Sequence, residues 1–195
     1  MSKIINIVLV LITLVLAYWL YASIQDPIAF HGERDKRKDA VIAKLKMIQT
    51  AQDVYRLAKG KYAKTFDSLA VGIMNGRVPI VKLEKDPSDP TNEDKFIKTV
   101  SYVSAKDTLF STLGKSISLD SLKYVPYGEG ATFSINADTL THQNSLVNVL
   151  EVGTRYKDFM GPFKSASYKK YDKYYDPEKL LKFGDMNTPN TNGNW

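Results

Sequence analysis

Two stretches decide how this chain is built: IINIVLVLITLVLAYWLYASI, residues 4–24, and ERDKRKDAVIAKLKMIQTAQDVYRLAK, residues 33–59. The first holds 21 residues without a single charge. As a helix it reaches about 30 Å, the thickness of bilayer hydrocarbon. Tyr18, Trp19 and Tyr21 gather at its far end, where amphipathic rings favour the headgroup level. A cleaved signal peptide has a shorter apolar core that ends in a small-x-small site, and Ala22-Ser23-Ile24 is a poor one. The stretch therefore reads as an uncleaved, single-pass transmembrane signal anchor.

The second stretch lacks Gly and Pro. Val41, Leu45, Ile48, Ala51, Tyr55 and Ala58 recur at steps of four and three, the spacing of one apolar face on a helix. Gly60 follows as a C-cap, and Arg56 and Lys59 suit the negative end of the helix dipole. Val41, Leu45, Ile48 and Tyr55 are expected to pack against the following domain or against neighbouring subunits. Arg34, Lys36, Arg37 and Lys38 precede the stripe, and they are expected to form a solvated stalk or to meet lipid headgroups.

Lys and Arg number 27 in the 195 residues and Asp and Glu 21, a net of +6. All of that excess lies in residues 31–64, where ten bases face four acids. Residues 65–195 are balanced, which argues against nucleic acid as a partner. The absence of Cys excludes disulfides, thiol nucleophiles and thiolate metal sites. Orientation is contested: the basic run from Arg34 to Lys38 favours a cytoplasmic domain, whereas the short N-terminus with Lys3 resembles a signal anchor that exports the chain beyond it.

Beyond Leu69 the periodicity changes. Residues 77–83 (RVPIVKL) are β-prone, and Asp86-Pro87-Ser88-Asp89-Pro90 closes them as an acidic turn. Residues 99–104 alternate at period two; residues 122–127 and 131–135 read as a hairpin across Gly128-Glu129-Gly130, and residues 145–152 as a further strand. Pro177 is placed to open a short helix over 178–183. The polar tail 186–195 is expected to stay flexible unless Trp195 docks. The fold class is α+β, a transmembrane helix running into a long amphipathic helix packed on an antiparallel sheet. Its parts are a short N-terminus (1–3), the span (4–24), a juxtamembrane stalk and amphipathic helix (25–60), an extracytoplasmic domain (61–185) and the tail.

An apolar span, Pro27 just beyond it, and a charged helix carrying Ala51, Tyr55, Gly60, Tyr62 and Leu69 resemble the N-terminal part of type II secretion pseudopilins and type IV pilins. Ala63 stands where those proteins usually have Pro. The whole chain also looks like a group of uncharacterised single-span envelope proteins of Bacteroidota, which share the pattern around Gly60-Lys61-Tyr62 and a C-terminal Gly193-Asn194-Trp195. The pilin-like part runs from the N-terminus to the neighbourhood of Leu69. Two departures matter: no Gly precedes Gly32, so the prepilin peptidase has no site, and the span lacks the Glu that pairs with a neighbour during filament assembly. The resemblance implies a scaffold kept in the bacterial inner membrane, with its domain in the periplasm.

Chemistry is sparse. His31 and His142 share no metal-ligand spacing, and the first reads as a polar residue beside the membrane, the second as a turn residue. Leu113-Gly114-Lys115-Ser116 imitates the end of a phosphate loop but has Leu109 where Gly is required, and no Gly-x-Ser-x-Gly elbow occurs. Asp86, Asp89 and Asp94 are weak candidates for a cation such as Ca²⁺, with a solvated turn as the plainer reading. The run from Tyr168 to Tyr175 mixes Tyr and Lys as single-strand nucleic-acid surfaces do, but Asp172, Asp176 and the neutral C-terminal region favour a protein contact or an ordinary amphipathic surface. The expected function is non-enzymatic and without cofactor. The chain is read as a structural subunit or scaffold of an envelope-spanning secretion or motility assembly, with the bilayer, other envelope proteins and further copies of itself as partners. The alternatives are a tether that holds a soluble envelope protein or ligand near the membrane without polymerising, and a cytoplasmic lipid-surface adaptor.

Overall fold

The computed structural model describes residues 2–85, 96–142 and 144–195. One helix, α1, runs without interruption over Ser2–Lys59. Pro27 lies inside it, where its missing N–H leaves the Ser23 carbonyl without a helical donor. The helix stops where Gly60 takes a φ of +76° and its N–H reaches the Arg56 carbonyl at 2.7 Å. The acidic candidates Asp86, Asp89 and Asp94, together with the turn that contains Asp86 and Asp89, lie outside the described residues.

The two halves of α1 have different surroundings. Its apolar window has a mean hydropathy of 2.4 and no residue buried inside the domain. Phe30, Val41, Leu45, Ile48, Ala51, Val54 and Tyr55, by contrast, belong to one continuous core. The expected stripe is therefore seated in the domain. It meets α2 (Phe66–Asn75) and α3 (Ala105–Leu113), and the helix also touches β1 and β5. Neither short helix is expected from periodicity, yet both carry local start signals. Thr65 and Ser68 form a reciprocal capping box at α2, and Ser104 caps α3, which ends at Gly114 with φ +65°. Gly114 thus ends a helix, whereas the glycines of a phosphate loop precede one.

The strands form two antiparallel sheets. β1 (Arg77–Lys85) pairs with β2 (Phe96–Ser104), from Arg77 opposite Ser104 to Lys85 opposite Phe96. The second sheet has the order β3 (Ser134–His142), β4 (Ser145–Arg155), β5 (Leu180–Asp185). Two expected elements are corrected here. The hairpin over 122–135 reduces to a 3₁₀ turn at Asp120–Lys123 and a single bridge between Tyr124 and Thr132, since the Val125 carbonyl and the Ala131 N–H that would extend the ladder bond instead to the Gly128 N–H and the Gly128 carbonyl, at 3.1 and 2.8 Å. The helix over 178–183 is instead mostly β5, because residues 180–185 alternate in burial and pair with β4. Pro177 serves an Asx-type turn in which the Asp176 carboxylate accepts the Glu178 N–H at 2.9 Å.

The tail is likewise not loose. Gly193 bridges Phe183, the Asn194 N–H reaches the Lys182 carbonyl, and the Gly184 N–H reaches the Asn192 carbonyl. The Asn194 side chain accepts the Lys182 N–H at 3.0 Å and donates to the Leu180 carbonyl at 2.8 Å. Residues 192–194 therefore cover the outer edge of β5, which otherwise presents unpaired backbone groups. Trp195 lies over Gly193, where a Cβ would come within 2.3 Å of the indole.

Two contacts lock α1 to the chain that returns over it. Buried Gln52 uses both ends of its amide, accepting the Ala63 N–H at 2.9 Å and donating to the Ala63 carbonyl at 3.1 Å. Ala63 thus uses the N–H that a Pro at this position lacks. Tyr55 packs on Gly72, where a Cβ would sit 2.1 Å from its ring. Gln52→Leu leaves two buried backbone groups unpaired and is expected to cost about 2–6 kcal/mol, at 1–3 for each group. Urea denaturation of the full chain in detergent checks this.

Candidate functional site: an aromatic collar around the helix

Phe30 stands six residues beyond the apolar stretch and is fully buried. The chain that buries it is the Tyr- and Lys-rich region. After β4, the single turn α4 (Tyr156–Phe159) leads into 3₁₀ turns at Gly161–Phe163 and Ala166–Lys170, which wrap one side of the helix. The Tyr168 ring stacks on Phe30 at 5.3 Å and 4°, and Tyr175 meets it edge-on at 5.1 Å. Phe163 and Tyr171 complete the ring at 5.9 and 6.1 Å. Such pairs add about 0.5–1.5 kcal/mol each beyond the area they bury. His31 also packs on Phe30, at 5.4 Å.

Polar groups fasten the collar. Arg34 Nη1 donates to Asp172 at 2.6 Å, Arg37 Nη1 to the Phe159 carbonyl at 2.9 Å, and the Tyr171 hydroxyl to Asp26 at 3.3 Å. Arg37 also bonds Glu33 and lies 5.1 Å over the Tyr127 ring. Its guanidinium holds the Glu33 carboxyl below the usual range. The guanidinium lies 2.7 Å from the place a Cβ would occupy on Gly161, where φ is +55°. The side chains of Arg34 and Arg37 are only 21% and 17% exposed.

The expected solvated stalk is thereby corrected: residues 30–38 belong to the domain, and two of the four basic candidates are committed inward. Lys36 stays exposed and pairs loosely with Glu33 at 3.5 Å. Lys38 borders a small cleft of about 230 Å³ with Arg34, Asp172 and Tyr174. Tyr18, Trp19 and Tyr21 remain exposed on the bare part of the helix. Periodicity does not single out Phe30. The signal it does carry is that of the one Phe, Trp or Tyr between Tyr21 and Tyr55, matched by the cluster of aromatics between Phe163 and Tyr175 near the other end of the chain.

At the opposite end of the domain, Arg56, Tyr62, Asn148 and residues 189–192 line an open cleft of about 570 Å³. Arg56 lies 5.3 Å over the Tyr62 ring and 3.6 Å from Asp53, whose carboxyl is raised by burial. Among the described residues no group of three or more His, Asp or Glu side chains is placed to hold a metal ion. Neither family models, nor curated proteins, nor solved structures match the chain.

The collar carries two predictions. Phe30→Ala removes an aromatic from a closed ring and is expected to cost about 3–5 kcal/mol, seen as a lower denaturation midpoint of the full chain. Burial pushes the Tyr175 phenol up to about 12, and its hydroxyl donates to the Phe163 carbonyl at 2.7 Å. The neutral phenol is thus favoured in the folded state. The stability this contributes is complete below the ordinary phenol value of about 10 and is lost as pH rises toward 12. Phenolate absorbance should show a late-titrating tyrosine that Tyr175→Phe removes; tyrosines that all titrate together near the ordinary value would contradict it.

Proposed function

We propose that the chain is a non-enzymatic, membrane-anchored, pseudopilin-like structural subunit or scaffold of an envelope-spanning assembly. The observation that carries this reading is the single helix Ser2–Lys59, bare and apolar in its first part and forming the core of an α+β domain in its second. Exposed Ile, Val and Leu over some 30 Å need either lipid or other apolar helices around them. The same helix conveys any force or position set in the membrane directly to the domain, as a scaffold requires. With the pilin-like order of elements, residues 4–24 lie in a bacterial inner membrane and the domain lies in the periplasm.

A tether that holds a soluble envelope ligand is the second reading, and the Arg56–Tyr62 cleft favours it. By helix rise Arg56 lies about 48 Å beyond Ile24, well placed to face an envelope partner. The two readings differ in what surrounds the apolar helix, since a scaffold subunit has protein neighbours there and a tether has lipid.

The lack of Cys makes the test clean. Single variants such as Val10→Cys and Leu14→Cys, oxidised in native membranes, should give disulfide-linked copies or partner adducts with a helical pattern of positions. No adduct at any position along residues 4–24 would remove the scaffold reading and leave the tether. Lys61→Cys, exposed beyond the helix, should react with a membrane-impermeant maleimide from the periplasmic side; protection until the inner membrane is opened would reverse the orientation.

A further inference from the structure

We propose that the outer face of the collar, carrying Lys164, Lys169 and Lys170, is a docking surface for anionic phospholipid headgroups that seats the domain directly on the bilayer. The inference rests on residues 4–24 spanning that bilayer. Asp26 then lies about 3 Å beyond the hydrocarbon and Phe30 about 9 Å, at 1.5 Å per residue. Each headgroup layer is about 5–8 Å deep. The collar touches the helix at these two levels, with Tyr171 on Asp26 and with Tyr168 and Phe163 on Phe30. The turns at 161–170 therefore sit against the headgroups, with no room for a stalk between domain and membrane.

Charge selects the kind of lipid. Residues 161–171 hold three lysines and no acid, and all three lysines are exposed. Asp26 accepts the Tyr171 hydroxyl, and its carboxylate offsets part of the charge of Lys170. Among the described residues none of the three lysines forms an ion pair. Lys170 Nζ lies 4.5 Å over the Tyr171 ring, an amphipathic pairing that suits a water–lipid boundary. The basic run of the helix is no substitute. Arg34 and Arg37 are engaged inward, and Lys36 is about 18 Å beyond Ile24, past the screening length of about 8 Å at physiological salt.

The test uses the full chain in nanodiscs of phosphatidylcholine alone or with phosphatidylglycerol added, and follows lysine acetylation by a neutral reagent with site-resolved mass spectrometry. Lys164, Lys169 and Lys170 should react about fivefold more slowly in the anionic discs, the factor that one interfacial cation contributes, and high salt should abolish the difference. Lys61 and Lys106, exposed elsewhere on the domain, should react equally in both. Equal rates at the collar lysines in a chain held by the discs would overturn the proposal while leaving the span intact. A chain that does not stay with the discs would remove the span and the docking surface together. Protection equal in both lipids but absent in detergent would mean steric contact with the bilayer and would overturn the role of charge.

Discussion

The face formed by Val41, Leu45, Ile48, Ala51 and Tyr55 is the surface on which the domain is assembled, and it belongs to the same unbroken helix as residues 4–24. Burying Val41, Leu45 and Ile48 is worth about 1.5–3 kcal/mol each. The adjoining helices α2 and α3, with β1 and β5, take their places by packing on the helix that carries it. Because the backbone between the two halves stays helical, the domain cannot choose its height or rotation independently of the apolar segment. Whatever holds residues 4–24 also holds the domain.

Phe30 turns that linkage into close apposition. A solvated stalk requires the helix beyond Ile24 to be free of the domain, but the aromatic ring of Phe163, Tyr168, Tyr171 and Tyr175 closes on it almost at once. The charges follow from this. Arg34 and Arg37, which in the sequence belong to a basic run, are drawn inward to Asp172 and the Phe159 carbonyl, leaving outward-facing cations on the collar. A net charge of +6 confined to the segment 31–64 thus gives little information about which surface is basic.

Small polar devices finish what apolar burial begins. The Gln52 amide pairs with both backbone groups of Ala63, and the Asn194 amide does the corresponding work at the edge of β5. Each places one flexible side chain against backbone that would otherwise be unpaired. The C-terminal Gly193-Asn194-Trp195 thereby acquires a physical role: the glycine admits the indole, and the asparagine seals the edge.

The sequence by itself determined the elements whose signals are local and repetitive. The apolar stretch, the stripe over 41–58, the Gly60 stop, and the strands β1, β2 and β4 follow from period and punctuation within a short window. The α+β class follows from their order. Tertiary structure decided the rest, because the relevant partners are far apart along the chain. Residues 180–185 became a strand because β4 offered a ladder, and the tail became ordered because β5 had an open edge. Phe30 became core because tyrosines from the far end of the chain enclosed it. A side chain's pattern with its near neighbours shows whether it prefers burial, but only the folded chain brings together the distant groups that bury it.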